Sequence, residues 1–159
     1  MGLKDYSFRG KTYNQWELNE EIVTGARTIA ETDVVNFAGL SGDWSATHTN
    51  DIYGKNTIYG QRIVYGNVTF IVATGLLSQT LHFEGTAAAL MGMKVSYQEP
   101  VLFGDTIFCK FSAVEKALPC HVPGYGKVGF HVFVYNQEEK QVAEIWLSLL
   151  IALERPVMV

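Results

Sequence analysis

A chain of 159 residues with 48% hydrophobic content can bury one proper core, and its length is that of a single domain. The net charge is −4, and the 12 Lys plus Arg are scattered without a basic run, which leaves no electrostatic footprint for nucleic acid. The longest apolar tracts, 68–77 and 145–153, are broken by Thr or Ser and fall short of the roughly 18 residues that cross a bilayer, so no membrane partner is expected.

Cys109 and Cys120 are too few and too far apart for a CxxC motif, and the N-terminus does not read as a signal peptide. A reducing, cytoplasmic setting is expected. Met1-Gly2 suggests myristoylation, but Tyr6 stands where that motif needs Ser or Thr.

Residues 1–24 mix Tyr6, Phe8, Tyr13 and Trp16 with charge and show no period, which predicts an arm that lays its aromatics on the domain. A short strand is expected over 25–29. Glu31, Thr32 and Asp33 then suit a first helical turn, and Gly39, Ser41 and Gly42 supply a stop before Asp43. One more turn is expected in 49–56, then an irregular passage over 58–64. From Gly66 to Thr80 the chain is apolar on nearly every side, which suits a helix of about four turns wrapped in protein.

Past Gly85 the pattern changes to period two, and four strands are predicted at 86–97, 105–118, 127–136 and 141–153. Their connectors are short and turn-like, so successive strands are expected to be antiparallel neighbours. One long helix and an antiparallel sheet predict a single α+β domain over 1–159, with the sheet curled around the helix.

Gly124 to Gly129 matches GxGxxG letter for letter, but a strand pattern follows it where a dinucleotide site needs a helix, so a glycine-rich hairpin is expected. His82, His121 and His131 are isolated and read as core or surface residues. No metal site is expected, and Cys120-His121 is not read as a nucleophilic pair, because sequence neighbours rarely face each other.

Asp43 and His48 stand five residues apart on a short polar loop between apolar flanks. They could bind metal, anchor the fold or share a proton-transfer task; metal would need a third ligand, and none is nearby. The plain alternative is a helix-capping Asp and a solvated His. The Gly66 helix start adds to the proton-transfer reading, since free amides there point a positive dipole end outward and can hold an oxyanion. An acid–base pair beside an oxyanion site is what chemistry next to a carbonyl requires.

The segment Phe37-Ala38-x-Leu40-Ser41-Gly42-Asp43-Trp44-x-x-x-His48 resembles the hydratase motif of the MaoC-like, or (R)-specific enoyl-CoA hydratase, branch of the hot-dog superfamily. Arg62-Ile63-Val64-Tyr65-Gly66 resembles that family's entry to the central helix, and Pro100-Val101-x-x-Gly104-Asp105-Thr106 its strand-connecting turn. The resemblance covers most of the chain and implies a hot-dog fold. It implies Asp43 and His48 as the catalytic pair, the Gly66 amide on the thioester carbonyl, and Thr74 as a helix hydroxyl supporting the Asp. The family's Asn-Pro is Ser45-Ala46 here, and its His before the glycine is Tyr65, a change expected to reshape the pocket.

What the resemblance implies is an (R)-specific hydratase or dehydratase acting on acyl-CoA thioesters as a homodimer, with no cofactor. Lys55, Arg62 and Lys94 are candidates for CoA phosphate contacts, with solvated surface charge as the ordinary alternative. A hot-dog thioesterase and a non-catalytic acyl-CoA-binding module are the rival readings.

Overall fold

Of the two acids at 31 and 33, Asp33 starts a helix by accepting a backbone amide. The Asp33 carboxylate accepts the Ala30 amide at 2.9 Å to open α1 (Glu31–Ser41), and Gly42 closes it in the left-handed region at φ 76°, donating to the Ala38 carbonyl at 2.9 Å. The structure is a computed structural model that describes residues 6–118 and 121–157, so Cys120 and the Met1-Gly2 terminus lie outside the described residues.

Before α1 runs β1 (Ile22–Thr28); after it come α2 (Ala46–Thr49), α3 (Asp51–Lys55) and the long α4 (Gly66–Gln79). The sheet is completed by β2 (Ala87–Tyr97), β3 (Thr106–Ala117), β4 (Tyr125–Tyr135) and β5 (Gln141–Ala152). β1 begins at Ile22, earlier than expected, because Ile22 and Val23 already pair with Phe111 and Lys110 ahead of a bulge. The turn expected in 49–56 is α3, and α2 precedes it as a further short helix; the Asn50 side chain starts α3 by accepting the Tyr53 amide at 3.0 Å.

The strands form one antiparallel sheet in the order β1-β3-β4-β5-β2. β3, β4 and β5 are successive neighbours, as their connectors predict. The expectation fails for β2 and β3, which lie on opposite sides of the β4-β5 pair. Their connector, 98–105, is long enough when extended to span about 26 Å, and two intervening strands separate its ends by only about 14 Å. A short connector therefore permits a neighbour without requiring one.

Alternate residues of β3 (Ile107, Cys109, Phe111, Ala113) and β4 (Val128, Phe130, Val132, Val134) line the buried face. α4 lays Val68, Val72 and Leu76, with Ala73 and Leu77, against the sheet. It is not covered all round: Ile71 is half exposed. Burial also lifts the Cys109 thiol to about 12, which makes it a packing residue and not a nucleophile.

Tyr13 and Trp16 of the arm are buried in this core. The Trp16 ring stacks on Phe83 at 5.2 Å and meets the Phe130 edge at 4.8 Å. Tyr13 fills the space over Gly126, where a Cβ would come within 2.3 Å of its ring. That close approach and the turn at Gly124 (φ 83°) account for the glycine run, which opens β4 and no helix. His82 packs beside Trp16, partly buried at the rim of the core, its pKa lowered by burial and by Lys11; His131 Nε2 donates to the Glu144 carboxylate at 2.5 Å.

The arm is tied down by backbone bonds from Gly10 to Glu84 (3.1 Å) and Lys11 to His82 (2.8 Å), and by Arg9, whose Nε and Nη2 grip the Glu84 carboxylate at 2.9 and 3.0 Å. The Arg9 hydrogen bond, with that of Tyr6, holds Glu84 at about 2, below its ordinary 4.5. A depressed carboxylate stabilises the folded arm above pH 4.5 and ceases to do so as pH falls towards 2. Protection of the arm's amides, taken relative to intrinsic exchange at each pH, should therefore fall over that window, and Arg9→Ala should flatten the dependence; the site is exposed, so the global melting temperature should move little.

Candidate active site

His48 sits on α2 with its ring orientation fixed from two sides. Its Nδ1 lies 2.8 Å from the Ile63 carbonyl, which can only accept, so Nδ1 carries the proton and Nε2 keeps a lone pair. The ring packs against Tyr65, with centroids 3.8 Å apart. Tyr65 in turn packs on Phe37 at 4.9 Å and donates its hydroxyl to the Asp43 carbonyl at 2.5 Å. Burial, then the Asp43 charge, raises the Tyr65 pKa, so the phenol stays a donor. Tyr65 thus fastens the Asp43 loop and the His48 ring to the start of α4.

Asp43 follows the Gly42 stop on an exposed loop. Its Oδ1 accepts the Ser45 amide at 3.0 Å, and Ser45 is the residue that opens α2. The loop is therefore closed by a short local bond even with Ser45-Ala46 in place of Asn-Pro. Asp43 and His48 are not hydrogen-bonded to each other; Tyr65 is the contact they share.

A cavity of about 430 Å³ opens beside His48 and Gly66, walled by Ile63, Val64, Val101 and Val142, with Tyr97 and Glu99 among its polar members. Gly66 is the first residue of α4, where amides have no partner within the helix, so the positive end of the helix dipole meets the cavity. The cavity can thus place a carbonyl oxygen at the helix start and a neighbouring carbon within reach of His48. Among the described residues no cluster of three metal-ligating side chains is present.

The other expected site residues lie apart. Thr74 is two turns along α4, its hydroxyl donating to the Ile71 carbonyl at 2.8 Å, and it lines an apolar groove with Phe70, Leu77 and Leu90. It is not brought to Asp43. Lys94 lies on β2 over the Trp146 ring at 5.0 Å, and Lys55 is exposed at the end of α3.

Arg62, expected at CoA phosphates, is occupied within the chain. Its guanidinium donates to Glu31 at 2.7 and 3.1 Å and to Asp51 at 2.5 Å, and it stacks on Phe103 at 4.6 Å. Glu31 in particular raises its pKa. Arg62 ties the start of α1 to α3 and so holds the loop that carries His48. Arg62→Met is expected to loosen that loop, read as lower amide protection over 46–55.

Sequence reasoning missed Tyr59, Tyr97 and Gln98 as cavity residues. The signal for Tyr97 was its position just ahead of the Pro100-Val101 turn, which the sequence singles out.

A curved antiparallel sheet around α4, with a cavity at the helix start, makes this a hot-dog domain. The MaoC like domain matches residues 14–124, and the chain belongs to that family. An (R)-specific enoyl-CoA hydratase from Rhodospirillum rubrum is 33% identical over 84 residues, 52% of this chain and 56% of the relative, so the chain spans about half the length of the curated relative it matches. Among solved structures, a monoamine oxidase regulatory protein from Archaeoglobus fulgidus is 29% identical with a TM-score of 0.84, covering 95% of this chain and all of that one. The R-hydratase PhaJ1 from Pseudomonas aeruginosa shares the fold at 24% identity and a TM-score of 0.71, covering 93% and 90% of the two chains.

Proposed function

We propose that the protein interconverts trans-2-enoyl and (R)-3-hydroxyacyl thioesters of CoA, with Asp43 and His48 as the acid–base pair. The observation that carries this reading is His48 itself: an imidazole whose Nδ1–H is committed to Ile63, facing a cavity it shares with the Gly66 helix start. Its free Nε2 suits it to take a proton from water or return one.

In hydration, water held by Asp43 and His48 attacks C3, forming the C3–O bond as the C2–C3 π pair moves toward the carbonyl. Negative charge builds on the thioester oxygen, where the Gly66 amide and the α4 dipole stabilise it. The pair collapses back to take a proton at C2, and dehydration is the reverse. Asp43 sits on the loop that Tyr65 and Ser45 secure, which suits it to share the water with His48.

The active form is a homodimer in the cytoplasm. Among the described residues β2 has one neighbour, β5, and nothing pairs with its other edge, while Leu90, Met91 and Met93 are exposed on the strand. Such an edge is normally covered. No helix among the described residues is long and apolar enough to cross a membrane.

The test is loss of enoyl absorbance when the protein meets crotonyl-CoA or trans-2-decenoyl-CoA, with free thiol followed in parallel. Loss of absorbance without thiol is the expected result. Thiol release would replace hydration with thioester hydrolysis, and silence in both signals would refute an enzyme acting on these esters.

A further inference from the structure

Tyr97 ends β2 at the point where its ring covers Gly66. A Cβ built on Gly66 would lie 2.8 Å from the Tyr97 Cζ and 3.0 Å from both Cε atoms. Those near-equal distances place the glycine against the ring face at its phenol end, with the hydroxyl projecting beyond. Both residues line the cavity that His48 faces. The two tyrosines at the helix start differ in one respect. The Tyr65 hydroxyl is spent on the Asp43 carbonyl, whereas that of Tyr97 makes no hydrogen bond to any described residue.

The ring's packing role would be met as well by phenylalanine, so the hydroxyl needs its own account. Two contacts aim it: the Tyr97 backbone pairs with Ala143 in the sheet and one ring face rests on Gly66 of α4, while the remainder of the side chain, 46% exposed, is open to the cavity. Burial raises the phenol pKa above its ordinary 10, so the group donates throughout the physiological range. A donor positioned before the reaction needs no reorganisation when charge appears, and an O–H bond to an oxyanion is among the stronger hydrogen bonds.

We propose that Tyr97 is a catalytic residue whose hydroxyl donates, beside the Gly66 amide, to the thioester oxygen of the bound substrate. This rests on the enoyl-thioester reading above. The sheet would then supply one donor of the oxyanion site and the helix the other, so that the β2 terminus and the α4 start must stay in register for turnover. No atom is transferred by Tyr97: it keeps its proton, and the charge it stabilises disappears when C2 is protonated.

The experiment compares wild type and Tyr97→Phe in two assays, with melting curves confirming that both fold. One is hydration of crotonyl-CoA and trans-2-decenoyl-CoA. The other is the infrared carbonyl stretch of bound butyryl-CoA carrying carbonyl carbon-13, a saturated ester that cannot be hydrated. The expected result is a kcat about 100-fold lower in Tyr97→Phe with KM within about threefold, together with a carbonyl stretch moved to higher frequency by the lost donor. Normal kcat and an unchanged stretch in the variant would overturn the role of Tyr97 and leave the hydratase reading intact. A wild type that binds butyryl-CoA without hydrating either enoyl ester, with the stretch still shifted in Tyr97→Phe, would keep the donor and refute the hydratase. No binding and no turnover would refute both.

Discussion

On the proposed hydratase reading, removing the imidazole of His48 should slow hydration of crotonyl-CoA by about 100- to 10,000-fold, the range in which a positioned acid–base group contributes. The argument starts from the Ile63 carbonyl, which fixes the tautomer, and from Tyr65, which fixes the ring plane. Both contacts orient Nε2 before substrate arrives, so the loss should fall on kcat, with KM little altered. Asp43→Asn should cost as much, and the double variant scarcely more than either single one, because two groups that handle one water fail together. Initial rates of enoyl absorbance loss measure all three. A fall of less than about tenfold in His48→Ala would place the proton transfer elsewhere.

Trp16→Ala should destabilise the fold by about 3–5 kcal/mol, the usual cost of emptying a buried large aromatic site. Trp16 is 2% exposed, between Phe83 and Phe130, so the rings around it cannot close the gap without breaking their own contacts. The change lies far along the chain from Asp43 and His48, yet it should unseat the whole arm, because Tyr13 and the Gly10 and Lys11 bonds hang from the same segment. Urea unfolding measures the loss. Leu18→Ala, at an exposed side chain two residues further on, is the contrast and should cost about 0.5 kcal/mol or less.

The elements themselves were largely legible, because each is marked by a local signal. The acids Glu31 and Asp33 mark the start of α1, the unbroken apolar run makes α4, and period two marks the four long strands. Strand order was less so. The 98–105 connector has a turn's composition, but which strand β2 pairs with is decided by Val95 and Met93 meeting Ile145 and Leu147, a match no nearby residue announces. Of the residues the motif singles out, His48 and Gly66 share one cavity, whereas Asp43 lies on the adjoining loop and is not among the residues that line it. The partners of Arg62 were not legible, because Glu31 and Asp51 reach it only once α1 and α3 have folded. Tyr97 was hidden for the same reason: its contact with Gly66 joins two elements that only the curl of the sheet brings together.

The strand order also sets a timetable on the ribosome. α4 packs on β1 and β3, and it leaves the exit tunnel before β3 and the two strands that flank it on the far side, β4 and β5. β1 likewise waits for β3, some eighty residues downstream, before it has any partner. The three late strands can zip locally through their hairpins, and the first half of the chain then wraps onto them. The nascent protein therefore carries its most apolar helix only partly covered until β3 gives β1 a partner, an interval in which the pace of translation beyond Gln79 bears on how much of it escapes aggregation.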